Sequence, residues 1–471
     1  MEGLEATEKR LSELERTWRI DAEFFQYRHV YLAEQLAKLQ CETATSVANI
    51  SDGNHFSISE SFVEDGIPYY RGQDVVGHFF IEQSTPNTIT REAFDQSFMK
   101  RSHLQQGDVL LSIVGTVGET SLVKTNQEAT CSCKLAILRP QSIAPAYLAV
   151  YLSSPIGQSL SERWKRGAVQ TGLLLEDMDQ MPVARFSITF EKSVADFVDY
   201  AYAALETSRN LSQQAEQTLL HTLGLDKWSP PEALSYVRSS REAFAAGRLD
   251  ADFFQPKYEE LINIVRNNKG DYELIQMGEL SQPLKYGCSD KLEYVEKGRP
   301  FLRIADLENK RFDENTVLRV PYNVEFSISE LVSKNDVLIS RSGTLGIAVP
   351  IGEDLDGAAY GSYFIRSRSD TKRILPEYLS LSINSLFGQM QIEQINTGGV
   401  QTNLTIPAIE SILIPLGDIS WQQCFVDITN DSLAQRERAK FLLEAAKRAV
   451  EIAIEDSEAA ALAWLEQFRF K

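Results

Sequence analysis

Arg19-Ile-Asp-Ala-Glu-Phe-Phe-Gln26 returns 229 residues later as Arg248-Leu-Asp-Ala-Asp-Phe-Phe-Gln255. Residues downstream of the first copy have counterparts downstream of the second. Gly66-x-Pro68-x-x-Arg71-x-x-Asp74 matches Gly298-x-Pro300-x-x-Arg303-x-x-Asp306. Asp108-Val-Leu-Leu-Ser112 with Gly115-Thr-Val-Gly118 matches Asp336-Val-Leu-Ile-Ser340 with Gly343-Thr-Leu-Gly346. Pro145-x-Tyr147-Leu, Gly157-Gln158 and Gly167-x-Val-Gln-Thr171 match Pro376-x-Tyr378-Leu, Gly388-Gln389 and Gly398-x-Val-Gln-Thr402. The offset is too long for a solenoid unit and suits a whole domain plus a connector. One chain therefore reads as two copies of one fold, an arrangement suited to a partner that itself comes in two similar halves.

Each half of the 471 residues is long enough to bury its own core. A hydrophobic share of 43% and a charged share of 24% are ordinary for globular proteins. No apolar run approaches the roughly 20 residues that span a bilayer, and Glu2, Glu5 and Glu8 make the N-terminus unlike a signal peptide. Five scattered cysteines fit a reducing, cytoplasmic setting. Cys131 and Cys133 share one face of an expected strand, and with no histidine at ligand spacing they read as ordinary thiols, not a metal site.

A net charge of −19 weighs against a simple nucleic-acid binder. Phosphate contacts need only a local basic face, however. Arg163, Lys165 and Arg166 in the first half, and Arg366, Arg368, Lys372 and Arg373 in the second, are candidates for one.

The pattern predicts an α/β (α+β) fold with five segments. They are an N-terminal helical segment (1–41), a first mixed domain (42–188), a central helical spacer (189–269), a second mixed domain (270–416) and a C-terminal helical spacer (417–471). Residues 146–160 read as a helix ending near the Gly157 turn. In heptads, the first long helix has Val194, Ala201, Ser208 and Ala215 at one seam position; the second has Phe425, Ser432, Ala439 and Ala446. Small side chains in both seams predict close antiparallel pairing; two independent amphipathic helices are the other reading. A helix of about 35 residues is about 50 Å long. As a pair, such helices would hold two mixed domains about an approximate two-fold, a geometry for two half-sites on a duplex. Phe197, Leu205, Leu219, Leu443 and Val450 are expected as exposed apolar edges.

In element order and in these motif strings, with Gly-Gly-x-Gln-Thr-Asn-Leu at 398–404, the chain resembles the specificity subunits of type I restriction–modification systems. The resemblance covers nearly the whole chain. It implies two tandem-repeated target-recognition domains, each reading half of a split site on double-stranded DNA, with helices that space them and dock methyltransferase subunits, two in number. Restriction subunits would join through the complex. Two departures stand out: Asn335 replaces the glycine seen at Gly107, and Asn403 stands opposite Gly172.

Candidate DNA contacts follow from residue chemistry. Gln170 and Gln401 carry the paired donor and acceptor that match an adenine edge, and Thr171 and Thr402 can meet phosphate or a thymine methyl. Because these recur in both halves they are expected to position the backbone, leaving specificity to nonrepeated positions. There, Ile113 aligns with Arg341, a potential guanine reader, Gln73 with Ala305, and Lys134 falls near Tyr363. Ser342 and Asn403 complete the set with the basic trio Arg163, Lys165 and Arg166. The Gly-Thr-x-Gly segments are expected as tight hairpin turns, with phosphate binding through their exposed N–H groups as the other reading.

No nucleotide-binding P-loop, nucleophile elbow or Asn/Asp-Pro-Pro-aromatic string is present. Glu308-Asn-Lys310 behind Asp290 has no acidic counterpart at Val76-Gly-His78, which argues against a nuclease. Methylation, cleavage and any S-adenosylmethionine are expected of partners, and no cofactor of this chain. A duplicated interaction scaffold that leaves DNA alone is the alternative.

Overall fold

The computed structural model describes residues 7–468 apart from 9, 11–13, 15–18, 168–170, 232–234, 308–309, 313, 315 and 397–402. The chain forms two compact units. One runs up to Glu206 and resumes at Gln435; the other is Thr207–Ala434. Helices of seven or more residues and all strands are numbered in chain order.

The first unit begins with α1 (Tyr27–Leu36), β1 (Cys41–Thr43), β2 (Ala48–Asp52), β3 (Phe62–Val63), β4 (Ile67–Tyr70) and β5 (Asn87–Ile89). It continues with β6 (Val109–Ser112), β7 (Thr120–Leu122), β8 (Thr130–Cys131) and β9 (Leu135–Pro140). Then come α2 (Pro145–Ser153), α3 (Pro155–Trp164), β10 (Pro182–Ala184) and the start of the long α4 (Ile188–Thr222), whose residues from Thr207 belong to the second unit. Its sheets have the orders β2-β9-β6-β7 and β3-β5-β4-β8, and β1 pairs antiparallel with β10.

Strand β6 shows why the layers form. All four of its residues are buried, as a short continuous apolar run requires of a strand covered on both faces. Side chains alternate across a strand, so Val109 and Leu111 join the core beneath the helices, while Leu110 joins Leu135 and Ile137 in a second core on the other face.

The second unit contains α5 (Ser240–Ala246), α6 (Pro256–Asn267), β11 (Glu273–Gln276), β12 (Lys285–Tyr286), β13 (Arg299–Leu302) and β14 (Arg319–Val320). After them come β15 (Asp336–Ser340), β16 (Ala348–Pro350), β17 (Ala359–Tyr360), β18 (Phe364–Arg368), α7 (Pro376–Asn384), α8 (Leu386–Ile395), β19 (Leu413–Leu416) and the start of α9 (Ile419–Glu455). Helix α9 ends in the first unit, succeeded there by α10 (Glu458–Glu466). The sheet orders are β12-β18-β15-β16 and β14-β13-β17, and β11 pairs with β19. Here too the fully buried central strand feeds two cores: Val337 and Ile339 pack under the helices, Leu338 with Phe364 on the far side.

The two long helices pack antiparallel. In the first unit Val194, Phe197 and Ala201 share a core with Ala439, Ala446 and Val450, and Ser187, which caps α4, donates from its N–H to Glu458 at 3.0 Å. In the second unit Ser432 donates to the Ser208 carbonyl at 2.7 Å and bonds the Ser212 hydroxyl at 2.7 Å. Only side chains this small admit backbone-to-side-chain contact between helices. The apolar edges expected to face outward do not: Phe197, Leu205, Leu219, Leu443 and Val450 are all buried within the units. Exposed apolar residues on these helices are instead Ile188, Tyr200 and Phe441.

Other boundaries also differ from expectation. The span read as one helix is two, α2 and α3, because Pro155 disfavours helical backbone at Ser154, whose hydroxyl then caps α3 by accepting from Gly157 N–H at 3.3 Å. Gly157 lies inside α3, where a Cβ would stand 2.3 Å from the Tyr151 carbonyl oxygen; Gly388 meets Ile383 in the same way. The first octapeptide is a turn, and the second a turn with one short 3-10 helix at Asp252–Phe254; neither is α-helix. Arg19 binds Asp21 with two bonds of 2.7 and 2.8 Å, lies 4.5 Å over the Phe24 ring, and donates to the carbonyls of Arg163 and Lys165 at the end of α3. Arg248 grips Asp250, Phe253 and the Ile395 and Asn396 carbonyls at the end of α8. A cation there satisfies open carbonyls and opposes the helix dipole. Leu4 and Leu11, read as helical, lie outside the described residues.

Arg19→Ala should cost about 1–3 kcal/mol at neutral pH, since it strips charged hydrogen bonds from a buried site; the more exposed Arg248→Ala should cost less. Arg19 holds the Asp21 carboxyl below its ordinary 3.8 through their hydrogen bonds. That contribution is present above pH 3.8 and lost as pH falls through the lower folded value. Urea melts of both variants across pH 3–7 check the size and its decline in acid.

Candidate nucleic-acid interface

The repeated motifs build a scaffold at the end of each central strand. In the first unit the β6–β7 hairpin turns through Gly115 and Gly118, with φ of +88° and +100°. Ser112 at the strand end ties the turn: its hydroxyl donates to the Thr116 carbonyl and accepts from Glu119 N–H at 2.9 Å. Gln158 reaches from α3 to donate to the Gly118 carbonyl at 2.6 Å. In the second unit Ser340 donates to Thr344 at 2.5 Å and accepts from Ile347 N–H at 2.8 Å, and Gln389 donates to Gly346 at 3.0 Å. Gly118 N–H also donates to the Ser112 carbonyl at 2.9 Å and Gly346 N–H to Ser340 at 2.8 Å, so these amides serve the turn itself.

The strand's other end is equally braced. Asp108, buried, takes two bonds of 2.8 Å from Arg139; Asp336 takes two of 2.7 Å from Arg368. Gly107 there has φ +92°, and Asn335 has +73°, a left-handed conformation that Asn tolerates better than most residues. The departure from glycine thus keeps the same turn.

Around each hairpin gather most of the expected contact residues. In the first unit Ile113 N–H donates to the Lys134 carbonyl at 2.9 Å, Leu173 N–H to Ile113 at 2.8 Å, and Val114 bridges Gly172. Gly172 and Arg166 exchange two backbone bonds of 2.8 Å, bringing Thr171 alongside. A Cβ on Gly72 would lie 3.6 Å from the Cβ of Lys134, which sets exposed Gln73 beside it. In the second unit Arg341 N–H donates to Tyr363 at 2.8 Å, Leu404 N–H to Arg341 at 2.9 Å, and Ser342 bridges Asn403. The backbone plan is the same; the side chains differ.

Several expected contacts are internal instead. Arg163 is buried, 4.1 Å over the Phe24 ring, and donates to the Phe24 carbonyl. Arg166 pairs with Asp177, whose carboxyl burial pushes above the ordinary range despite that cation. Ser342 is buried. Arg366 and Arg368 brace strands, and Arg373 donates to the Glu279 carbonyl. These arginines answer buried carboxylates and carbonyls, which a reading of charge runs has no means to see. Lys134 and Tyr363 are exposed and Lys165 half-exposed; Gln170, Gln401 and Thr402 lie outside the described residues. Tyr286 was missed. It stands at the end of edge strand β12, exposed, with Arg341 4.9 Å over its ring. Nothing in its sequence neighbourhood marks it, since only the fold brings residues 286 and 341 together.

Among the described residues no group of three or more His, Cys, Asp or Glu could hold a metal ion, and no helix is long and apolar enough to cross a membrane. No family model matches the chain. Among curated proteins it is 21% identical over 396 residues to the Type I restriction enzyme EcoBI specificity subunit of Escherichia coli, covering 80% of this chain and 75% of that one. The chain is thus similar to a type I specificity subunit over most of its length.

Two solved structures of that family are also similar. The type I restriction–modification S subunit from M. genitalium aligns with TM-score 0.39 and 14% identity over 90% of this chain and 95% of its own. The HsdS subunit from Thermoanaerobacter tengcongensis aligns with TM-score 0.29 and 14% identity over 92% and 95%.

Gln389→Leu removes the donor that two carbonyls share, Gly346 and Ile383. It should destabilise the chain by about 1–3 kcal/mol, the cost of orphaned buried acceptors, and Gln158→Leu should do the same. Thermal melts of each variant against the parent check this.

Proposed function

We propose that this chain is the DNA-recognition subunit of a type I restriction–modification complex. The carrying observation is a shared backbone scaffold with different side chains at equivalent places: Ile113 and Arg341, Lys134 and Tyr363, Gly172 and Asn403. A common scaffold with divergent side chains suits two target-recognition domains, residues 42–188 and 270–416, that dock on similar backbone geometry and read different bases. The paired long helices act as the spacer. The contact set is then Gln73, Lys134, Lys165, Gln170 and Thr171 on one side, and Arg341, Tyr363, Gln401, Thr402 and Asn403 on the other. Arg163 and Ser342, both buried, are left out.

The match to a named specificity subunit supports the assignment of partners: double-stranded DNA, two methyltransferase subunits and, through them, restriction subunits. An open groove of about 310 Å³ in the first unit, lined by Pro155, Phe441, Ala445 and Trp464 together with the charged Glu444, Lys447, Arg448 and Glu451, is suited to receive a partner's side chains. The chain itself is non-catalytic, needs no cofactor, and works in the cytoplasm. The net charge of −19 and the internal use of so many arginines favour the second reading, a scaffold that does not touch DNA.

Methylome sequencing of cells expressing the chain with its methyltransferase should reveal a bipartite motif. Removing one heptad from each long helix shortens each by about 10 Å. The bases of both half-sites should persist while their spacing shifts, or modification should cease. Modification without this chain, or a change in the bases read, would refute the proposal.

A further inference from the structure

Arg341 differs from the arginines around it. Arg303 and Arg368 answer the carboxylates of Asp306 and Asp336, as Arg71 and Arg139 answer Asp74 and Asp108. Among the described residues, no carboxylate lies within 4.0 Å of Arg341. Its guanidinium is nonetheless held. Nε donates to the Leu404 carbonyl at 3.1 Å and Nη1 to Ser362 at 3.3 Å. The Tyr286 ring lies 4.9 Å away, and the Tyr286 hydroxyl accepts from Ile406 N–H at 3.2 Å. A cation is thus held by two neutral carbonyls and an aromatic face.

An arginine has five N–H donors in a rigid fork. Two are used inward, so the Nη1–Nη2 edge keeps donors for something outside, and their common plane is preset. A fork already ordered loses little side-chain entropy when it binds. The acceptor pair that fits two parallel N–H groups on a duplex is the O6 and N7 edge of guanine in the major groove. The first unit carries the internal contrast: Ile113 occupies the equivalent backbone position, buried and without a donor.

We infer that Arg341 reads a guanine in one half-site and that Tyr286 is its positioning residue. The inference rests on the DNA-recognition function proposed above. The full chain, purified with its methyltransferase partner, is used to select from a random duplex library, and selected duplexes are titrated across salt concentrations. Arg341→Ile should abolish the preference for guanine at one position of one half-site and weaken the preferred duplex about 5- to 100-fold. Tyr286→Leu should relax the same position with a loss of about 3- to 10-fold. Tyr286→Phe, which keeps the stacking ring, should retain the preference, and Arg341→Lys, which loses the fork, should not. A selective parent whose Tyr286→Leu variant keeps the full guanine preference would overturn the positioning role. A loss in Arg341→Ile that is uniform across sequences, with a shallower salt dependence, would mean a phosphate contact and overturn base reading. A parent with no sequence preference would overturn the DNA-recognition function itself.

Discussion

The central strand of each unit, Val109–Ser112 or Asp336–Ser340, is covered on both faces, and the rest of the unit is arranged around that requirement. Alternate side chains go to opposite cores, so helices must cover one face and a second sheet the other. The backbone at each end of the strand must then turn away within a buried setting, where every N–H and C=O needs a partner. A serine hydroxyl, a glutamine amide from the neighbouring helix and an Arg–Asp pair supply those partners in both units.

This division of labour shows why charge counted along the sequence is a poor guide to the surface of so acidic a chain. Many of its arginines, among them Arg19, Arg71, Arg139, Arg163, Arg303 and Arg368, are spent inside the fold, on buried carboxylates and helix ends, where removing a partner leaves a costly unpaired group. Among the cations left outward are Lys134 and the half-exposed Lys165 in one unit, and Lys285 and the half-exposed Arg341 in the other.

The repeat was legible because backbone constraints write themselves into residue types. Glycine appears where a Cβ would strike a carbonyl, as at Gly66 and Gly298, 2.3 and 2.0 Å from the oxygens of Ile89 and Val320. Glycine or asparagine appears where φ is positive. Small residues at 208, 432 and 439 announced the close helix pair through their spacing alone. Such signals are local, and two copies of them made the pattern unmistakable.

The tertiary structure decided which charges face outward and which hold the fold. Arg163 and Lys165 are two residues apart in sequence, yet one stacks on Phe24 and the other reaches toward solvent. Phe197 and Val450 read as open edges, but each is covered by the other long helix, whose residues lie far away in the chain. Tyr286 and Arg341 are joined only by sheet pairing, through β12 against β18 and β18 against β15. Periodicity and turn chemistry act over a few residues and so are written in the sequence. Burial depends on partners as far apart as Phe24 and Arg163, and those are set only when the chain has folded.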